Sequence, residues 1–148
     1  MNVDVLLDRY RTATEDTQRL IDHLLDHDAD DRAWADQIGP VYAQQRVAEL
    51  LAKTPQAVSA DRRLLRLTMR SGPIGYPVWQ FHGRRLLPGI AEVGAVLGPA
   101  AASSWTVASW LTSPQPSLDG VRPIDALHDG RVEAVVDEAR RVAAAWAA

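Results

Sequence analysis

The chain contains no cysteine, a single lysine (Lys53), a single phenylalanine (Phe81) and only two methionines. Without thiols it can build neither a disulfide framework nor a thiolate metal site, and it has no cysteine nucleophile. Long apolar runs are missing as well, since none approaches the roughly 20 residues that a helix needs to cross a bilayer. Met1 is followed by Asn2, Val3 and Asp4, with no basic stretch and no apolar segment behind it, so no secretory leader is expected. These absences point to a cytoplasmic protein without a membrane partner. Catalytic loop signatures are lacking too: there is no G-x-S-x-G, no Walker glycine loop and no G-x-G-x-x-G. His82 and His128 have no nucleophile or carboxylate placed beside them by any motif. Catalysis, a cofactor and a metal are therefore not expected.

The net charge of -3 hides an uneven distribution. Residues 1–40 carry 10 acids and 4 bases, residues 41–88 carry 2 acids and 8 bases, and residues 89–148 carry 7 acids and 4 bases. The blocks are thus -6, +6 and -3. A basic block between acidic flanks is the electrostatic footprint of a nucleic-acid-reading segment. With 47% hydrophobic and 24% charged residues, the rest of the composition is ordinary for a globular chain.

Near the start, Val3, Leu6, Leu7, Tyr10, Ala13, Thr17, Leu20, Ile21, Leu24 and Leu25 recur at helical spacing and predict one amphipathic helix. Asp26, Asp28, Asp30 and Asp31 are expected to end it in an acidic cluster, with a further helical turn near residues 32–37 before Gly39-Pro40. His23 and His27 stand four apart, a metal-ligand spacing, but no third ligand joins them and they read as solvated polar positions.

Within the basic block, residues 44–52 predict a short helix with Val47, Leu50 and Leu51 facing inward. Lys53 makes a tight connection, Thr54 is an N-cap, and Pro55 occupies the first helical position, where its missing N–H costs nothing. A second helix is expected over residues 55–65. It would offer Gln56, Ser59, Arg62 and Arg63, residue types that pair with base edges or phosphate in a major groove. Residues 67–70 and 74–81 predict two strands joined by Ser71-Gly72-Pro73, with Arg66 at the base and Arg70 on the first strand, and with Arg84 and Arg85 after the second. Tyr76, Trp79 and Phe81 fit the core side of such a strand better than a base-stacking surface. A helix-turn-helix followed by a hairpin resembles the winged DNA-binding domains of the MerR and excisionase type.

From Leu87 onward the residues become small and apolar. Short helices are expected over residues 90–97, from Ser103 or Ser104 through Leu111, and from Pro123 through Leu127, with a last helix over residues 131–148. Here Trp110-Leu111, Ser113-Pro114-Gln115, Leu118, Gly120, Pro123-Ile124-Asp125-Ala126-Leu127, Gly130 and Val135 form a spaced pattern. This pattern resembles the toxin-binding domain of Xre/MbcA/ParS antitoxins. The resemblance implies a protein that neutralises a RES-type, NAD-degrading toxin and represses its own operon. In that family the C-terminal end can reach the toxin, which makes Arg140, Arg141 and Trp146 the implied toxin contacts. Trp110, Leu111, Leu118, Gly120, Pro123, Asp125 and Leu127 are then mainly structural members of the motif.

The expected fold is mainly α with a small β-hairpin wing. It divides into an acidic helical segment (1–40), a winged helix-turn-helix (41–86) and a small helical domain of the toxin-binding type (87–148). Two functions are compatible with this plan: an antitoxin with a cognate toxin and operator DNA as partners, or a freestanding winged regulator whose C-terminal part mediates dimerisation or another protein contact. Either predicts a homodimer, because one helix-turn-helix reads only a half-site.

Overall fold

The computed structural model describes residues 2–69 and 72–148, the side chains of 27–31 excepted. It is mainly helical with small antiparallel β elements. The chain divides into two units, Met1–Asp36 and Gln37–Ala148.

In the first unit, the single helix expected from periodicity is broken into α1 (Val3–Thr12) and the start of α2 (Glu15–Ile38). The cause is local. Asn2 caps α1 by accepting from the Asp4 N–H at 3.0 Å, and the Thr12 hydroxyl turns back to the Asp8 carbonyl at 2.9 Å. Ala13 is extended, and Thr14 Oγ1 accepts from the Thr17 N–H to restart the helix. Tyr10 O–H donates to Asp22 Oδ1 at 2.8 Å, and Gln18 Nε2 donates to the Tyr10 carbonyl at 2.9 Å, so the two helices are tied near their junction. The acidic cluster does not end α2, which runs on to Ile38. Asp is only a moderately poor helix former, whereas Gly39, in the left-handed region at φ 77°, is a true stop. Val3, Val5, Leu6, Leu7, Leu20, Leu24 and Leu25 are all exposed in this unit. The side chain of His27, half of the pair with His23, lies outside the described residues.

The second unit opens with β1 (Val41–Ala43), a strand that local sequence patterning does not predict, followed by α3 (Gln44–Leu51) and α4 (Pro55–Ala60). Next come β2 (Leu67–Thr68) and β3 (Ile74–Pro77), and the antiparallel order is β1-β3-β2 with Tyr42 opposite Tyr76 and Leu67 opposite Gly75. Gly75 is required there, because a Cβ would come within 2.8 Å of Val41 Cγ2. The expected long strand over residues 74–81 is interrupted by a 3₁₀ turn, Val78–Gln80, after which β4 (Phe81–His82) and β5 (Arg85–Leu86) form a second small hairpin. Four helices complete the unit: α5 (Ile90–Leu97), α6 (Ser104–Leu111), α7 (Pro123–His128) and α8 (Val132–Ala147).

The expected boundary between residues 86 and 87 is not a seam in the packing. Leu65, Trp79 and Leu86 pack on the same core as Ile90, Val93, Leu97, Leu111, Leu127 and Val135. Trp79 Nε1 donates to the Ile38 carbonyl at 2.9 Å, the Trp79 carbonyl lies 2.8 Å from His128 Nε2, and Trp105 Nε1 donates to the Thr68 carbonyl at 3.1 Å. Next to Trp79, Gln80 is fully buried. Its Oε1 accepts from the Leu65 N–H and its Nε2 donates to the Leu65 carbonyl, each at 2.8 Å. This side chain acts as a short strand, satisfying a backbone that would otherwise be half-buried and unpaired.

Replacing Gln80 by Ala should therefore cost about 2–4 kcal/mol, from two lost bonds and two stranded backbone groups. Gln80→Glu at neutral pH keeps an acceptor but sets a carboxylate against the Leu65 carbonyl, so it should fare no better. Urea melts of both variants check this, and wild-type midpoints would show that the clamp carries no stability.

Candidate nucleic-acid interface

The two helices of the basic block are joined as the sequence predicts, with one difference in length. Ala52 ends α3 in the left-handed region (φ 53°), its N–H reaching the Ala48 and Glu49 carbonyls, and the Lys53 N–H donates to the Ala48 carbonyl at 2.9 Å. Thr54 then caps α4 by accepting from the Ala57 N–H at 3.1 Å, with Pro55 in its first turn. Gln44 Nε2 donates to the Pro55 carbonyl at 2.6 Å and pins the start of one helix to the start of the other. Val47, Ala48 and Val58 are buried between them with Leu64, Tyr76 and Phe81. Gln56 and Ser59 stand exposed on the outer face of α4.

The second helix is shorter than the expected 55–65. It stops at Ala60 because Asp61 turns extended and its carboxylate gathers Arg63: Oδ1 accepts from the Arg63 N–H at 3.0 Å and from Arg63 Nε at 3.0 Å, and Oδ2 accepts from Arg63 Nη2 at 2.8 Å. Lys53 Nζ approaches the same Oδ2 at 3.3 Å. Arg62 and Arg63 thus lie on the loop beyond α4 rather than on the helix. Arg63 is committed to Asp61, whose carboxylate side chain is 9% exposed. Its bond from Arg63, outweighing the burial that opposes ionisation, and the added bond from Lys53 hold Asp61 well below the usual carboxylate range. Arg62 is exposed and carries no such partner among the described residues. Arg66 Nη1 donates to the Ser59 carbonyl and hydroxyl at 3.3 and 3.4 Å, so it lies along the edge of α4. Arg70 lies outside the described residues. Arg84 and Arg85 are exposed where β4 turns into β5.

The aromatic residues of this segment serve packing: Tyr76 and Phe81 are buried and Trp79 is half-buried. They offer no surface to bases.

The motif residues of the C-terminal segment are likewise interior. Trp110, Leu111, Leu118, Pro123 and Leu127 are all buried. Between them, Asp119 and Gly120 are left-handed (φ 61° and 77°), and the loop closes through the Gly120 N–H to the Gln115 carbonyl at 3.0 Å and the Gln115 N–H to the Val121 carbonyl at 3.1 Å. Asp125 takes a bidentate pair from Arg122 at 2.7 and 2.9 Å, which lowers its pKa. Trp146 is half-buried on the C-terminal core, where it packs. Arg140 and Arg141 are exposed on α8 and pair within the helix, with Asp137 at 2.9 Å and with Glu138 respectively.

The architecture is therefore that of a helix-turn-helix buttressed by two small antiparallel β elements and a helical layer. No protein-family model matches the chain, and no curated protein matches it. Among solved structures it is similar to the NMR structure of Rv2175c, with a TM-score of 0.62 and 27% identity over 70% of this chain and 81% of that one.

Asp61 contributes stability that is present above the unfolded pKa of about 3.9 and is lost as the pH falls toward its depressed folded value. Asp61→Asn should cost about 1–2 kcal/mol at neutral pH, since both cations remain largely solvated, and its deficit against wild type should shrink below about pH 4. Thermal melts across the acid range check this. A deficit that is constant with pH would rule out the ion-pair account.

Proposed function

We infer that this chain is a winged helix-turn-helix DNA-binding protein that regulates transcription from the cytoplasm, acting by binding rather than by catalysis. The observation that carries this reading is the capped, outward-facing α4, which offers Gln56 and Ser59 with Arg62 and Arg66 beside it in a block of +6 charge. The acid nearest these residues, Asp61, is already neutralised by Arg63 and Lys53. Phosphate contacts come from Arg62, Arg66 and the Arg84-Arg85 turn, and sequence reading from Gln56 and Ser59. A homodimer on a palindromic operator is required by the half-site argument. The exposed leucines and valines of the first unit supply the dimer contact.

A second reading keeps the antitoxin role, with residues 87–148 binding a RES-type toxin. It is favoured by the spaced motif and by the exposure of Arg140 and Arg141 on α8. It ranks second because Arg140 and Arg141 are paired within α8 and Trp146 packs on the C-terminal core. Co-expression with the product of the adjacent gene separates the two: growth rescue and co-purification would put the antitoxin first.

Fluorescence anisotropy on a random duplex at several salt concentrations tests the DNA reading. Wild type should bind with a steep salt dependence, and Arg62→Ala should lower the slope by about one, the value for one phosphate contact. Failure to bind at low salt would overturn the proposal. Deleting residues 1–36 should take the light-scattering mass from that of two chains to that of one truncated chain, and a mass matching two truncated chains would move the dimer contact elsewhere.

A further inference from the structure

Between the loop that leaves α4 and the α5–α6 region lies a cleft of about 410 Å³. That size falls within the roughly 300–1,000 Å³ of small-molecule sites. The lining is chemically divided. Ile90, Val107 and Leu111 are apolar, and Gly94, Gly98 and Ala101 leave the lining without side-chain bulk. A Cβ built on Gly94 or Gly98 would meet nothing within 4 Å, so the space beside these glycines is open. The polar part consists of Arg62, Arg63, Ser103 and Ser104, and no carboxylate lines the cleft among the described residues. Arg63 is held by Asp61, which leaves Arg62 as the available charge. Ser103 precedes α6 without capping it, so its hydroxyl is free to bond elsewhere beside the positive end of that helix.

We propose that this cleft binds a singly charged anionic amphiphile, a medium-chain or aryl carboxylate. Its carboxylate is held by Arg62 and the hydroxyls of Ser103 and Ser104, and its hydrocarbon body lies against Ile90, Val107 and Leu111. One free guanidinium matches one negative charge, which disfavours polyphosphates, and the lack of lining carboxylates disfavours cations. The apolar wall favours a hydrocarbon body by removing it from water. Arg62 is also a cation beside α4 with no ion pair among the described residues, so occupancy of the cleft and contact with phosphate compete for its guanidinium. The competition rests on the DNA-binding reading, whereas occupancy of the cleft does not.

The test is a two-dimensional amide NMR titration of the full chain with decanoate, using decanol as the uncharged control. Saturable shifts at Gly94, Gly98, Ser103 and Ser104 are expected, with decanol and the Arg62→Ala variant each weaker by about tenfold. Gly94→Leu fills the cleft at a helical position where the new Cβ has room, and it should abolish these shifts. Shifts confined to the exposed apolar residues of the first unit would overturn the proposal, as would equal affinity for decanol or unchanged binding by Gly94→Leu. Anisotropy on a duplex with and without decanoate reads the competition separately. Loss of duplex affinity on adding decanoate supports it, and no change refutes it. Absence of any duplex binding refutes the DNA reading and leaves the NMR titration to decide the cleft.

Discussion

The second unit depends on a 3₁₀ turn, Val78–Gln80, in which two adjacent residues bond to distant parts of the chain. Trp79 donates to Ile38 and receives His128, and Gln80 pairs with both backbone groups of Leu65 and accepts from the Leu87 N–H. A helix-turn-helix as short as α3 and α4 cannot bury enough apolar surface to hold its own shape. It shares the surface of the helical layer, and the turn is where the two are fastened. Because Leu65 lies just beyond the Arg62-Arg63 loop, the Gln80 amide also sets where the exposed cations emerge.

The same loop shows how stability and binding draw on one set of charges. Asp61 ends α4, supplies the turn and holds Arg63 and Lys53. Each of these stabilising contacts removes positive charge from the face that would meet phosphate. Arg62 escapes because it stands in solvent on a backbone that its neighbours have already fixed. A free guanidinium on a well-anchored loop loses little ordering entropy when it meets an anion, whereas a paired one must first give up its carboxylate.

Features decided locally were legible in the sequence. The Thr54-Pro55 start of α4, the Pro123 start of α7 and the apolar stripe of α8 all come from side-chain and backbone rules that act within a turn or two. Features with distant causes were not. β1 exists only because Pro77, Tyr76 and Gly75 come to lie opposite it. Gln80 reads as one polar position in an alternating strand until Leu65 is placed against it. Gly89 carries a signal that chain-break rules alone do not capture: it is left-handed at φ 95°, and a Cβ there would come within 2.5 Å of Leu127 Cδ2. A glycine before a helix can thus mark close packing from a remote element as well as a chain break. The end of α4 was legible in principle, since Asp61 followed two residues later by Arg63 is a local turn pair, but the apolar Val58 and Leu65 favour a longer helix when spacing alone is considered.

The C-terminal motif shows why spacing can mark a scaffold without marking a partner. Its Trp110, Leu118, Pro123 and Leu127 are buried, and its Gly120 serves a loop that needs a left-handed residue. Any sequence that folds two helices around such a proline-bearing loop must place bulky, small and turn residues at these intervals, whatever its outer surface binds. Recognition is decided by the residues that the scaffold leaves outside, and here those are the local ion pairs of α8 and the cleft beside Arg62. Since α5 to α8 share a core with Leu65, Trp79 and Leu86, an occupant of the C-terminal layer would act through that core on the loop that carries Arg62 and Arg63. The helical layer is better understood as the support through which the helix-turn-helix is held and biased than as an independent module appended to it.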